Sequence, residues 1–143
     1  MRIAFVTSVA HADLTPDDRL AVEALEQRGA EVNAAVWTDQ SIDWSSFDSI
    51  ILRSTWDYYE RAVEFRAWID ALDAIAAPVW NPPPVLRWSM KKTYLQDLAK
   101  AGVSVVPTIW LSKGDAPYLG SLLAERGWTE AIVRPVISGN ASR

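Results

Sequence analysis

The residues best suited to chemistry in this sequence stand in one short run. Arg53, Ser54, Thr55, Trp56, Asp57, Tyr58 and Tyr59 follow directly on the apolar triplet Ile50, Ile51 and Leu52, with no glycine or proline between them. A guanidinium can pair both oxygens of a carboxylate at once. A carboxylate such as Asp57 can take an ammonium or hydroxyl group, and the rings of Trp56 and Tyr58 can close over a bound molecule and exclude water. Arg53, Trp56, Asp57 and Tyr58 are therefore candidate substrate-binding residues. A purely structural reading stands beside this one: an Arg53–Asp57 ion pair with both rings packed on a sheet edge.

What must position these groups is the tip of a strand. Arg2–Thr7 (RIAFVT) reads as a buried strand, AEVNAAVW as a second, and FDSIILRS as a third. Between the first two, LTPDDRLAVEALEQRGAEV carries a helix start. Thr15 stands at the N-cap, Pro16 at the first helical position and Asp18 three residues after the cap. Leu20, Ala21, Ala24 and Leu25 supply its apolar face, and Gly29 suits the left-handed residue that ends it. Phe65, Trp68, Ile69, Leu72 and Ile75 mark a second helix from about Glu60 to Ala76. APVWNP reads as a short fourth strand, stopped by Pro82, Pro83 and Pro84.

Strands alternating with helices predict right-handed βαβ units: an α/β fold with a Rossmann-like parallel sheet in the order 2-1-3-4. Ligands of such sheets sit beyond the carboxyl ends of the strands, where the winding reverses. That place is the crevice between strands one and three, lined by the loops Ser8–Leu14 and Ser54–Tyr59. Ser8 joins the candidate substrate-binding residues on this ground. The triple proline is the expected domain boundary, dividing residues 1–84 from 85–143. Beyond it the sequence predicts a helix over Lys91–Ala101, a strand in VSVVPTIWL, a helix around Tyr118–Arg126 and a strand in EAIVRPVI.

Several chemistries are excluded. The turn after strand one lacks the glycine pattern of a dinucleotide site, and Asp17 and Asp18 at the helix start repel a phosphate. On the plainer reading these two aspartates only cap the helix. A phosphoacceptor receiver domain needs an aspartate at the end of strand three, where this chain has Arg53. The chain contains no cysteine and only His11 as histidine, so thiolate chemistry and a Cys/His metal cluster are out, and no metal ligands are assigned. The formal charge of −4 argues against a general nucleic-acid or anionic-membrane binder. No apolar run has the length of a membrane span or a signal-peptide core, so a cytoplasmic protein is expected.

Two further cationic positions stand out. Lys91 and Lys92 fall at an expected helix start, where the dipole disfavours cations unless an anion is near; alternatively both extend into water. Arg134 precedes the small-residue stretch Ser138, Gly139 and Asn140, a pattern that suits a polyphosphate.

Three stretches together resemble the amino-terminal part of ATP-grasp ligases, in the glutathione-synthetase-like branch that includes cycloserine-forming ligases. They are LRSTWDY (Leu52–Tyr58), NPPPVLRWSMKKTYLQDLAKAGVSVVPT (Asn81–Thr108) and AIVRPVISGNASR (Ala131–Arg143). The resemblance implies a pre-ATP-grasp domain up to about Pro84, then a linking helix and the start of a partial ATP-grasp nucleotide-binding region. It implies that Lys92 contacts ATP phosphate, that Arg134 stands where the family has a second phosphate-binding lysine, and that Ser138–Ser142 begin the loop that closes over the phosphates. Arginine keeps the charge of that lysine but not its shape. The implied reaction is ATP-dependent activation of a carboxylate as an acyl phosphate, attacked by an amine or thiol, with Mg²⁺ bridging the phosphates. The family's magnesium ligands lie late in its sequence and have no counterpart here. The chain alone is therefore expected to be inert and to hold neither ATP nor Mg²⁺ stably. Its expected partner is a small molecule with a carboxylate, and open sheet edges predict self-association. The rival expectation is a non-catalytic module of the same fold that binds a small ligand or a protein.

Overall fold

The computed structural model describes residues 1–139. Four parallel strands, β1 (Arg2–Thr7), β2 (Glu31–Val36), β3 (Ser49–Ser54) and β4 (Val79–Trp80), form one sheet in the order β2-β1-β3-β4. The expected α/β fold and strand order are both present. Burial of β1 at every position from Ile3 to Thr7 is the mark of a central strand covered on both faces. Ala4 and Val6 belong to the main core, with Ile50 of β3, Ala35 of β2 and the apolar side of helix α2 (Ala62–Leu72). Phe65, Ile69 and Leu72 of that helix are all buried, so its periodicity in the sequence reports its buried stripe directly.

Helix α1 (Pro16–Glu26) starts as its sequence requires. Thr15 is extended at the N-cap and its hydroxyl accepts the Asp18 N–H at 3.1 Å. Its expected apolar face is covered in part: Ala21 and Leu25 are half-buried, Leu20 and Ala24 exposed. Leu20 is 66% exposed, and Asp18 is the one residue of the helix that is fully buried.

β4 ends at Trp80, just ahead of the proline run, and the run also begins a helix. Pro83 and Pro84 open helix α3 (Pro83–Ser89), where a missing N–H costs nothing in the first turn. Arg87 of α3 ties back to α2 through Asp70 and Asp73, both at 2.6 Å.

The chain divides into two compact units: Met1–Lys92 with the described residues from Ile137, and Thr93–Val136. The second contains helices α4 (Tyr94–Lys100) and α5 (Leu119–Arg126), the latter closed by Gly127 in the left-handed conformation. The strands expected in VSVVPTIWL and EAIVRPVI do not form among the described residues. Apolar, β-branched composition makes a segment fit for a sheet, but a strand exists only when another backbone pairs with it. No described helix is long and apolar enough to cross a membrane.

Candidate functional site

The site begins with an irregularity in the sheet. Val6 pairs with Leu52, but Thr7 pairs with Ser54, so Arg53 is an extra residue on β3. Bulges are rare between parallel strands, and they re-aim side chains beside functional sites. In a regular strand residues 53 and 54 point to opposite faces. Here both reach one carboxylate: Arg53 Nε donates to Asp18 Oδ1 at 2.7 Å and Ser54 Oγ donates to Asp18 Oδ2 at 2.5 Å. The guanidinium carbon lies 5.8 Å from the centre of the Phe5 ring.

Asp18 is thus more than a helix cap, and the alternative Arg53–Asp57 pair does not form. The Asp18 side chain is 3% exposed and that of Arg53 41%. Burial pushes the Asp18 carboxyl upward. Hydrogen bonds with Ser54, Arg53 and Thr15, and the Arg53 charge, outweigh it and hold the group below its ordinary value of 3.8.

The remaining residues of the run take three different places. Trp56, half exposed, meets the His11 ring edge-on at 4.8 Å, so the loops after β1 and β3 touch across their shared crevice. Ser8 is buried, with its hydroxyl 3.2 Å from His11 Nδ1; it shapes the first loop from beneath. Asp57 reaches the end of β2, where Trp37 Nε1 donates to its Oδ1 at 2.8 Å. Trp37 is itself buried against Phe65 and Trp68 and carries the Arg61 guanidinium 5.4 Å from its ring centre. Tyr58 packs on Phe65 and lines a cavity of about 210 Å³ on the far side of β3.

That cavity takes in part of the expected lining. Its walls are Leu52, Arg53, Thr55, Tyr58 and Phe65 on one side and Asn81, Leu86, Ser89 and Met90 on the other. No residue of the Ser8–Leu14 loop contributes to it. Leu86 and Ser89 of α3 supply part of its other wall. A second hollow of about 310 Å³ lies beside Trp37, lined also by Thr38, Gln40, Arg61, Glu64, Ala67 and Trp68. Of the candidate substrate residues, Arg53 and Tyr58 line the first cavity together, with Arg53 also reaching Asp18; Trp56 meets His11 between the loops after β1 and β3, and Asp57 is held by Trp37.

Of the candidate nucleotide residues, two meet. Lys92 Nζ donates to both the carbonyl and the hydroxyl of Ser138, each at 2.8 Å, and Tyr58 Oη donates to the same carbonyl at 3.3 Å. Gly139 continues this contact. A Cβ there would overlap the Tyr59 ring and stand 2.9 Å from the Trp56 carbonyl. Lys91 and Lys92 sit between α3 and α4, not at a helix start. Arg134 lies exposed in the second unit, outside any strand. Residues 140–142 of the expected phosphate loop lie outside the described residues.

Sequence reasoning missed Asp18, Trp37 and α3 as parts of this region. Only Asp18 left a trace, as an acid at the third helical position that a cap does not oblige to be buried.

Comparison with known proteins agrees with this architecture. Residues 3–81 match the family described as D-cycloserine synthetase DcsG, N-terminal domain. The cycloserine biosynthesis protein DcsG of Streptomyces lavendulae is 32% identical over 136 residues, 93% of this chain and 45% of that protein. The crystal structure of D-cycloserine synthetase DcsG superposes with a TM-score of 0.77 at 31% identity, covering 89% of this chain and 43% of the other. The chain thus spans a little under half the length of the relatives it matches.

Proposed function

Because the chain belongs to the family of the D-cycloserine synthetase amino-terminal domain, we propose that it forms the substrate-facing part of an ATP-dependent carboxylate–amine or carboxylate–thiol ligase. The observation that carries this reading is Arg53. A rare bulge turns it out of the strand pattern, a buried carboxylate anchors its Nε, and neither Nη group has a hydrogen-bond acceptor among the described residues. A fork of unpaired N–H donors at a strand tip is suited to a substrate carboxylate. Trp56 and His11 close one side of that crevice.

The groups of the proposed reaction fit this chain in part. Lys92, with the Ser138 hydroxyl beside it, offers a cation and a hydroxyl that would hold a phosphate oxygen. No group of three or more His, Asp or Glu side chains that could hold a metal ion gathers among the described residues. The residues present do not fit Mg²⁺, and no catalytic step is assigned to it here. ATP, when bound, would supply the phosphoryl group that turns the carboxylate into an acyl phosphate. The chain's own part would be to hold and orient that carboxylate. The chain's net charge of −4 supports a small-molecule partner over nucleic acid or an anionic membrane.

D-Serine has the carbon skeleton and carboxylate of ring-opened D-cycloserine, which makes it a suitable probe. Titrated into the ¹⁵N-labelled chain, it is expected to shift the amides of Ser8–Leu14 and Ser54–Tyr59, whereas D-serinamide leaves them in place. Equal shifts with both compounds, or shifts confined to other loops, would refute the reading. With MgATP and D-serine the 143-residue chain is expected to release no ADP in the steady state. Steady ADP release would show that the activating step resides within it.

A further inference from the structure

In the sequence Asp18 occupies the third position of a helix, where an acid usually turns back to cap the helix's own first N–H. Here the Thr15 hydroxyl accepts the Asp18 N–H, and the carboxylate, besides its contact with Thr15, reaches across to β3, one oxygen to Arg53 and the other to Ser54. The carboxylate is buried to 3% exposure and grips residues 35 and 36 positions away.

The form of that grip is informative. An ion pair that serves stability alone gains most from two parallel bonds between the guanidinium fork and the carboxylate. This pair makes one, at Nε. The second oxygen accepts the Ser54 hydroxyl, and no Nη donor bonds to it. Burying a carboxylate carries a desolvation cost that a single bond to a half-exposed arginine offsets poorly. What the arrangement does achieve is orientation. With Nε fixed and the guanidinium laid over Phe5, rotation about the end of the side chain is stopped. The two Nη groups are held at the strand tip with no acceptor among the described residues.

We propose that Asp18 is the positioning residue of this site, holding Arg53 so that its Nη groups receive a substrate carboxylate as a preformed fork, with Ser54 locking Asp18 in turn. This inference rests on the reading of Arg53 as the carboxylate-binding group. It adds that α1, not only the β3 loop, belongs to the substrate machinery.

The test is the ratio of affinities of the chain for D-serine and D-serinamide, read by NMR titration, together with the Arg53 Nε–Hε resonance. The wild-type ratio is expected to be about tenfold or more, as for a charge-assisted bidentate contact. Asp18→Ala is expected to bring it down to the level of Arg53→Ala and to move the Nε–Hε signal. Asp18→Asn, which keeps an acceptor for Nε–H, restores most of the ratio. A ratio that stays at the wild-type level in Asp18→Ala but is lost in Arg53→Ala overturns the positioning role alone. A ratio unaffected by Arg53→Ala, or absent in the wild type, overturns the reading of Arg53 and the positioning role with it. Should Asp18→Ala fail to fold, Ser54→Ala decides. Freeing one carboxylate oxygen is expected to reduce the ratio measurably, and an unchanged ratio sinks the proposal.

Discussion

Replacing Arg53 with methionine removes the charge but keeps much of the stem, and it isolates the energetics of the anchored carboxylate. Asp18 would keep Ser54 but lose the donor at 2.7 Å, while its side chain stays 3% exposed. Stripping one partner from a fully buried ion pair costs about 3–5 kcal/mol. Arg53 is 41% exposed, so its own share is screened by water, and about 2 kcal/mol is the better figure here. In urea, followed by tryptophan fluorescence, that lowers the unfolding midpoint by about 1 M. The pH dependence gives the sharper check. In the wild type the Asp18 pKa lies below 3.8, so its stabilisation is fully present above that value and lost as pH falls through the folded pKa. Without Arg53 the burial term is opposed by less, the folded pKa moves upward, and protonation relieves the buried charge. The penalty of Arg53→Met is therefore expected to be largest at about pH 7 and to shrink toward about pH 3.5. A variant within about 0.5 kcal/mol of wild type at neutral pH, or a penalty that acid leaves unchanged, would refute this account of the site.

Other expectations are briefer. Trp37→Phe keeps the packing on Phe65 but deletes the 2.8 Å bond to Asp57; it is expected to cost about 1–2 kcal/mol in thermal or urea unfolding and to speed amide exchange in the Thr55–Glu60 loop, with unchanged exchange counting against a tether there. Gly139→Ala should force Tyr59 or the Ser138–Gly139 segment to move, because a Cβ has no space beside the Tyr59 ring and the Trp56 carbonyl; unaltered Tyr59 ring resonances would contradict this packing. Val106, Ile132 and Val133 are each at least 74% exposed in the second unit, and light scattering of the isolated chain is expected to show self-association; a monomer across the concentration range would argue otherwise.

Much of the framework could be read from residue order alone. The strands β1 to β3, the Thr15–Pro16 helix start, the buried stripe of α2 and the parallel order all rest on local patterns: period, caps and alternation of element types. Such patterns survive because each depends on neighbours a few positions away. The same local logic failed where the deciding partner was remote. Pro83 and Pro84 look like a stop in sequence, yet they start α3, which walls the cavity beside Tyr58.

The site divides along the same line. Its side-chain chemistry and its place after an apolar strand marked Arg53 as a group able to grip a carboxylate. Only the fold decided that its partner is Asp18 and not Asp57, that Asp57 is held by Trp37, and that Arg53 and Tyr58 line one cavity with α3. The reason is physical. A one-residue bulge in a parallel ladder leaves no imprint on the sequence, yet it brings Arg53 and Ser54 onto one carboxylate that the chain supplies from 35 residues earlier.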